Sequence, residues 1–397
     1  MPVTYHSLAD PAGLIRPSLV PHWPAEPALG GWYGEAELEA AIQAIRSSLD
    51  MRVGFKAQLE VEAFESEFCA YTGAKCAVAC NGAGAALDLL LRALDIGPGD
   101  EVASCALNFH GDHLAVLDTG ASSLLCEPDP HTLNLDPADL AARITPRTRL
   151  ILATSLHGLA PDMDAIWRVA AEHRRVQPGL KVVVDASRSL GATHGGRHEG
   201  QHGDATLFSL QSKKHITALG EGGVVATDDP VLAETLRRSR SFGHGVAWGS
   251  NFKMTKPQAA VARVQLRRLD EMNQVRIQLA EARNRRLGAL TGCTLPSASV
   301  GARHVYYVYP IILPADWNRR RRDQLIARLA EEHGLGCVVA NPPTYEYNSW
   351  IADHTLQRLP FAEAISSRLI CPSFHPLYTA AEESRIADAF LTAFHEV

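Results

Sequence analysis

Between residues 76 and about 250, the sequence repeats one order of short apolar strand, turn and helix. CAVAC precedes the helical segment GAGAALDLLLRALDI, EVASCAL precedes GDHLAVLDTG, and RLILATS precedes DMDAIWRVAAEHRR, while KVVVDAS, ATLFSL and GGVVATDD close the series. Strands that alternate with helices imply a mostly parallel sheet with both faces covered. The pattern therefore predicts an α/β fold for this part of the chain.

The segments on either side of this series predict four regions in the 397-residue chain. Residues 1–34 are rich in Pro and Gly and are predicted to form an irregular arm, followed by a large domain at residues 35–255. Thr255, with a proline two residues later, has the pattern of a helix start and predicts a connecting helix over residues 256–289. The strand-like HVYYVYPIIL and the helix-like RRDQLIARLAEEHG then predict a smaller α+β domain at residues 290–397.

Composition limits the possible partners and compartment. Hydrophobic residues make up 46% of the chain and charged residues 21%, with a net charge of -6, which is typical of a soluble globular protein. The one basic run, Arg319–Arg322, is interpreted as a solvated helix face, so no nucleic-acid partner is predicted. The eight cysteines form no CxxC pair and no zinc-site spacing, which favours a reducing compartment and no metal. With no signal peptide and no membrane-length apolar run, the prediction is a cytoplasmic protein.

The stretch NGAGAAL predicts a helix start that can bind an anion. Asn81 is a candidate helix cap, and Gly82, Ala83 and Gly84 have little or no side chain to cover the first backbone N–H groups. Open N–H groups and the helix dipole both favour a phosphate at this position. Taken alone, the stretch fits a close-packed helix start equally well.

Three further candidates follow predicted strands, where parallel sheets bind their ligands. Asp185 ends KVVVD, and a carboxylate there is either a turn former or the partner of a buried cation. Phe109 is either part of the core or a flat platform for an aromatic cofactor. His157 follows another strand, and a lone histidine in such a place is more often structural than catalytic.

The stretch SLQSKKHITALGEGG places two adjacent lysines after a predicted strand that ends at Ser209. A lysine that forms a Schiff base must be desolvated or lie near another cation, so that its amine is free to react. Neighbouring side chains in an extended segment point in opposite directions, so at most one of Lys213 and Lys214 faces a pocket. Spacing alone also allows both to be exposed. Together, however, the phosphate cradle, aromatic plate, strand-end acid and lysine match the requirements of pyridoxal 5'-phosphate (PLP).

With these motifs, the sequence resembles the DegT/DnrJ/StrS family of PLP-dependent sugar or cyclitol aminotransferases. The resemblance covers nearly the whole chain and rests on FESEFCAYTGAK, LDIGPGDEV, EPDPHTLNLDP, ITPRTRLILATSLHGLAPDMDAI, VVVDAS, GSNFKMTKPQAAVARVQLRRLD and RLICPSFHPLY, as well as the lysine stretch. It implies the aspartate aminotransferase-like fold (fold type I), with a large PLP-binding domain and a smaller C-terminal domain.

The resemblance also implies roles for individual residues. Lys214 lies five residues after Ser209 in the context K-x-I-T, so it is the implied Schiff-base lysine and Lys213 the bystander. Asn251 would reach the cofactor phosphate of the other subunit, which implies a homodimer with shared sites. The remaining implied contacts are the phosphate with Ala83, Gly84 and Ser209, the ring face with Phe109, and the pyridine nitrogen with Asp185.

Three features depart from the family pattern. The phosphate loop is one residue longer than S-G-T-x-A-L and lacks its threonine, and ITALGEGG also carries one extra residue. Arg188 stands where the family usually has Gln or His. A fixed positive charge there would favour an ionised cofactor phenolate. The alternatives are that Arg188 turns outward or binds a phosphate or carboxylate of the substrate.

The resulting functional hypothesis is an aminotransferase that uses glutamate or glutamine as donor and a keto-sugar or keto-cyclitol as acceptor, in amino-sugar, antibiotic or surface-glycan biosynthesis. One alternative is a PLP-dependent lyase, which the departures at Arg188 and the loops motivate. Another is a regulatory protein without turnover, which an intact Lys214 and Asp185 argue against. Candidate substrate contacts, each equally compatible with packing, are Trp32, Tyr33, His110, His157, Tyr306 and Tyr345.

Overall fold

The structure is a computed structural model, and it describes residues 22–397. The first 21 residues of the predicted N-terminal arm lie outside this range. The prediction that the chain has no signal peptide concerns these residues. Residues 22–34 form an irregular segment, in which Trp23 pairs with Leu335 of the C-terminal region. Within residues 22–397, no helix combines the length and the apolar character that a membrane span requires.

A seven-stranded sheet forms the centre of the large domain, with the order β1-β9-β8-β5-β4-β2-β3. Five adjacent strands, from β8 to β3, are parallel, while β9 runs antiparallel to both β8 and β1. This confirms the predicted α/β fold with a mostly parallel sheet. The seven strands are β1 (Cys76–Cys80), β2 (Glu101–Cys105), β3 (Ser122–Cys126), β4 (Thr148–Thr154), β5 (Lys181–Asp185), β8 (Ala205–Ser209) and β9 (Gly223–Thr227).

Helices cover both faces of this sheet, and their apolar sides enclose two clusters of buried residues. Gly73 ends the second helix with a left-handed backbone (φ 75°), as its position after the helical pattern predicts. The helices of this region are α1 (Glu35–Arg46), α2 (Gln58–Thr72), α3 (Ala83–Ala93), α4 (His110–Asp118), α5 (Pro137–Arg143), α6 (Met163–His173) and α7 (Pro230–Ser239).

A 32-residue helix, α8 (Lys256–Leu287), connects the sheet region to the C-terminal part of the chain. Thr255 caps it together with Gln258, and a proline occupies its first turn, as the sequence predicts. Near the end of α8, Arg283 forms a buried ion pair with Glu383, which belongs to the last helix of the chain. The paired charges and the hydrophobic side chains around them attach α8 to that region.

The C-terminal part contains a three-stranded antiparallel sheet with the order β11-β13-β12. The predicted strand HVYYVYPIIL is wrong over most of its length, because only Ile311–Ile312 pairs in this sheet. Upstream, the N–H groups of Val305 and Tyr307 donate to Gly158 and His157, so this segment binds the turn after β4 instead. The strands are β11 (Ile311–Ile312), β12 (Cys337–Val338) and β13 (Leu369–Pro372), and the helices are α9 (Arg319–His333), α10 (Thr344–Tyr347), α11 (Ser349–His354), α12 (Pro360–Ser366) and α13 (Ala380–His395).

A second small sheet lies between the two parts and links them, with the order β10-β6-β7. Its strands are β6 (Thr193–His194), β7 (Arg197–His198) and β10 (Ala302–Arg303). Because the parallel strands of the central sheet end along one edge, side chains from distant parts of the sequence meet there, beside the C-terminal part.

Candidate active site

A pocket of about 450 Å³ lies at the carboxyl edge of the central sheet. It brings together residues that end or follow three different strands, β2, β5 and β8, and the first turn of α3. Seven of the residues singled out in the sequence line it: Ala83, Gly84, Phe109, Asp185, Arg188, Ser209 and Lys214.

The start of α3 forms one wall of the pocket. The helix begins at Ala83, and its N-cap is Gly82 rather than Asn81, whose backbone N–H instead donates to Phe252. No side chain caps the helix, and a Cβ atom at Gly84 would have no neighbour within 4 Å. The first N–H groups therefore face open space, which fits a phosphate group.

Gly223 of β9 allows the sheet to approach this helix start closely. A Cβ atom at Gly223 would lie 2.5 Å from the carbonyl oxygen of Gly82 and 2.6 Å from the nitrogen of Ala83. Both contacts are closer than van der Waals packing permits. The backbone of Gly223 thus fixes the position of the N–H groups that face the pocket.

We expect Gly223→Val to weaken PLP binding by about tenfold or more, because the added side chain must displace the helix start that holds the phosphate. The measurement is a PLP titration of the cofactor-free protein. Gly97→Ala provides the control, since a Cβ atom at Gly97 would meet no atom closer than 4.0 Å and Gly97 lies outside the pocket. Equal PLP affinity in the Gly223→Val variant and the wild-type protein would contradict the proposed cradle.

The two adjacent lysines occupy different environments. The amine of Lys214 lies 5.0 Å from the centre of the Tyr307 ring, and burial together with the positive charge of Arg188 lowers its pKa to about 7. A large fraction of this amine is therefore neutral near pH 7, as a nucleophile requires. Lys213 also borders the pocket, but its amine pairs with Glu26 at 2.5 Å and 36% of its side chain is exposed.

Asp185 lies buried at the end of β5. Its Oδ1 accepts a hydrogen bond from the backbone N–H of Ser187 at 2.9 Å, and its backbone carbonyl accepts one from Ser155. Within residues 22–397, no lysine, arginine or histidine forms an ion pair with it. A buried carboxylate without a cation is stabilised by a cationic ligand, and a protonated ring nitrogen meets this need.

Phe109 presents an aromatic surface to the pocket, and 49% of the residue is exposed. It precedes α4 and contacts the ring of His110, with 4.5 Å between the ring centres. A Cβ atom at Gly111 would lie 2.6 Å from the Phe109 ring, so glycine at that position leaves room for the ring orientation. This arrangement suits stacking against a flat cofactor ring.

Arg188 points into the pocket and not outward. Its Nη1 donates to Oδ1 of Asn341, and its guanidinium carbon lies 5.4 Å from the centre of the Tyr307 ring. Within residues 22–397, no carboxylate forms an ion pair with it. Arg188 therefore contributes an uncompensated positive charge to the pocket wall.

The other candidates lie outside the pocket of their own chain. Asn251 is exposed, and His110 sits behind Phe109 against Tyr347. His157 borders a separate small cavity, and neither of its ring nitrogens forms a hydrogen bond with the described residues. Burial, reinforced by the charge of Arg188, lowers the pKa of His157 to about 3. The remaining four candidates pack within the fold. The carbonyl of Trp32 accepts a hydrogen bond from Gln265, and the hydroxyl of Tyr33 donates one to the carbonyl of Thr217. Tyr306 stacks on His304, and the hydroxyl of Tyr345 donates to Glu363.

Sequence reasoning missed several pocket residues, among them Tyr307 and Asp112. Tyr307 is adjacent to the candidate Tyr306, and the choice between them depends on a left-handed residue (φ 47° at Tyr306) that no motif predicts. Asp112 lies three residues after Phe109, in the first turn of a helix that begins at the edge of the sheet. This spacing is the signal in the sequence that could have identified it.

The fold and this pocket define an aminotransferase of fold type I whose cofactor is PLP. Gly84, Phe109, Asp185 and Lys214 line this one pocket and offer open N–H groups, an aromatic face, a carboxyl group and an amine, which are the groups that a PLP site requires. The chain belongs to the DegT/DnrJ/EryC1/StrS aminotransferase family, whose sequence model matches residues 35–391. The family identified from the motifs is thereby confirmed.

Individual relatives agree with this assignment. The chain is 39% identical to GDP-perosamine synthase of Caulobacter vibrioides over 67% of this chain and 72% of the relative. It is 33% identical to dTDP-3-amino-3,4,6-trideoxy-alpha-D-glucose transaminase of Streptomyces venezuelae, over 89% and 91% of the two chains. The crystal structure of S. venezuelae DesV superimposes with a TM-score of 0.82 and 32% identity, covering 93% of this chain and 99% of that one. These similarities support an aminotransferase and give no support to the lyase alternative.

Proposed function

We propose that this enzyme transfers an amino group from glutamate or glutamine to the ring ketone of a nucleotide-linked sugar or a cyclitol. The observation that carries the proposal is the juxtaposition of Lys214, Asp185 and the open start of α3 in one pocket. The relatives described above make amino sugars attached to nucleotides, which supports a sugar acceptor in the biosynthesis of natural products or surface glycans.

Each residue has a distinct task in this proposal. Bound PLP supplies an electron sink for the carbanion that forms when the donor loses its α-proton. Lys214 would hold the cofactor covalently, and its free amine would accept and return the α-proton of the donor. Asp185 would keep the ring nitrogen protonated, and Phe109 would fix the plane of the ring. The low pKa of Lys214 lets its amine both accept and release a proton near pH 7.

We assign Arg188 to an anionic group of the substrate. Its guanidinium lies on the pocket wall without a carboxylate partner, and Asn341 holds it in place. A carboxylate of the amino donor satisfies this charge with two parallel hydrogen bonds. Arg188 also lowers the pKa of Lys214, so the same residue helps to keep the amine neutral.

We further propose that the enzyme acts in the cytoplasm as a homodimer with shared sites. The exposed Asn251 follows a segment with three exposed apolar side chains, those of Phe242, Val246 and Trp248. An exposed apolar cluster of this kind is typical of a protein interface. All eight cysteines are free, which supports a reducing compartment.

Subunit complementation tests the shared site. We expect Asn251→Ala and Lys214→Ala to be impaired separately, because each removes a group from every site. After co-refolding, a mixed dimer has one site with both groups intact, so the mixture should recover about a quarter of the wild-type activity. An unrestored mixture that contains mixed dimers would contradict a contribution of Asn251 to the partner's site.

The acceptor proposal is tested by supplying glutamate together with nucleotide-linked 3-keto and 4-keto sugars or keto-cyclitols and identifying aminated products by mass spectrometry. Formation of an amino sugar with stoichiometric release of 2-oxoglutarate supports the proposal. If donor turnover is observed but only 2-keto acids are aminated, the proposed acceptor class is wrong.

A further inference from the structure

Asp112 is a second buried carboxyl group in the pocket, and it lies next to Asp185. It occupies the first turn of α4, and only 4% of the residue is exposed. The hydroxyl of Thr154 donates to its Oδ2 at 3.2 Å, and Thr154 is the register partner of Asp185 in the neighbouring strand, which places the two carboxyl groups next to each other in the pocket. The pocket therefore contains an adjacent pair of acids where PLP requires one.

Two carboxyl groups in contact inside a protein cannot both remain ionised, because each negative charge raises the proton affinity of the other. Burial, reinforced by the charge of Asp185, raises the pKa of Asp112 well above its ordinary value. Burial outweighs the hydrogen bonds that Asp112 receives from Thr154 and Asn108, whereas Asp185 accepts a backbone N–H from Ser187, which stabilises a carboxylate. The pair therefore carries one negative charge, and the hydrogen bond from Ser187 favours its location on Asp185.

We propose that Asp112 is a positioning residue whose protonated carboxyl group donates a hydrogen bond to Asp185 and fixes the orientation in which Asp185 meets the ring nitrogen. The proposal rests on the proposed role of Asp185 in holding the cofactor. In this arrangement the proton of the acid pair stays on Asp112, and Asp185 stays ionised.

Other charged and titratable groups surround the acid pair. Lys214, on the loop after β8, and Tyr347 of α10 both interact with Asp112, while Arg188 interacts in turn with Lys214 and Tyr347. Glu199 interacts with Asp185, and burial raises the pKa of Glu199 to about 8. These groups are the same in the wild-type protein and in variants at position 112, so their titration largely cancels in a comparison of the two.

The first experiment is independent of the cofactor and locates the proton. The melting temperatures of wild-type and Asp112→Asn protein, both free of PLP, are compared between about pH 5 and pH 8. A folded-state pKa above the unfolded value stabilises the protein fully below about pH 4, and this stabilisation is lost as the pH rises. Asparagine does not titrate, so the melting temperature of the wild-type protein should fall relative to that of the variant as the pH rises. A difference that stays constant with pH would overturn the proposal.

The second experiment measures the dissociation constant of PLP. Asp112→Asn retains a hydrogen-bond donor and should bind PLP within about twofold of the wild-type protein, whereas Asp112→Leu should bind about tenfold or more weakly. Asp118→Asn, which removes an acid from the same helix outside the pocket, provides the matched control. If the Asn variant binds as weakly as the Leu variant, or if the Leu variant binds like the wild-type protein, the proposal is wrong.

The two readouts also separate this proposal from the proposed function. A wild-type protein that fails to bind PLP at Lys214 would contradict the function, while the pH dependence of the cofactor-free protein would still decide where the proton lies. If Asp112→Leu does not fold, the Asn variant alone decides the outcome, because a tenfold loss of affinity in that variant would mean that the charge of Asp112 matters and not its proton.

Discussion

Lys214→Ala is expected to abolish covalent capture of PLP and to lower the turnover number by about 10³-fold or more. The substitution removes both the amine that holds the cofactor and the base that moves the substrate proton. No other amine takes its place within the described residues that line the pocket, since the amine of Lys213 is paired with Glu26. Reduction with borohydride followed by peptide mass spectrometry should find PLP attached to Lys214 in the wild-type protein and to no residue in the variant.

Lys213→Ala is the matched control, because it removes an identical side chain one position away. We expect it to retain covalent PLP and most of the activity, since it breaks only an exposed ion pair. If Lys214→Ala retains both the adduct and turnover while Lys213→Ala loses them, the assignment of the two lysines is reversed.

The second large effect is expected for Asp185→Asn. The amide keeps the shape of the side chain and its contact with Ser187, but it can no longer hold a proton on the ring nitrogen. The cofactor then accepts the electrons of the carbanion poorly, and we expect the rate of the donor half-reaction to fall by about 10²–10³-fold. Rapid mixing with glutamate or glutamine in the absence of acceptor measures this rate directly.

If the Asp185→Asn variant reacts with the donor at the wild-type rate, the protonation of the ring nitrogen does not depend on this carboxylate. Weaker PLP binding with an unchanged rate would assign Asp185 to cofactor retention alone. The position of the carboxylate, buried and without an ion pair among residues 22–397, is the physical reason to expect a loss in the rate itself.

Elements with a strong local pattern could be predicted from the sequence. CAVAC and KVVVD are apolar runs bounded by turn residues, and each forms a strand of the central sheet as predicted. The connecting helix begins after Thr255 as predicted, because a capping residue, a proline and a helical pattern all agree, and it ends at Leu287, two residues before the predicted bound. The lysine, acid and aromatic ring could be found because each follows such a strand.

Features that depend on tertiary contacts could not be predicted. HVYYVYPIIL has the composition of a strand, but its backbone hydrogen bonds go to the turn at His157, which is distant in sequence. The same contact turns Tyr307 instead of Tyr306 into the pocket. The proximity of Asp112 to Asp185 likewise results from a tertiary contact, since Asp112 bonds to Thr154 of β4, the strand beside β5, and no motif in the sequence marks it.

The central claim is that Lys214 and Asp185 catalyse transamination in this pocket. The most direct test is a single-turnover absorbance spectrum of the PLP-loaded enzyme, mixed with glutamate or glutamine in the absence of acceptor. We predict that the band of lysine-bound PLP is replaced by the band of the aminated cofactor, with release of one equivalent of the matching keto acid, and that Lys214→Ala shows neither change. A stable lysine-bound band with both donors, and no keto acid, would contradict the account.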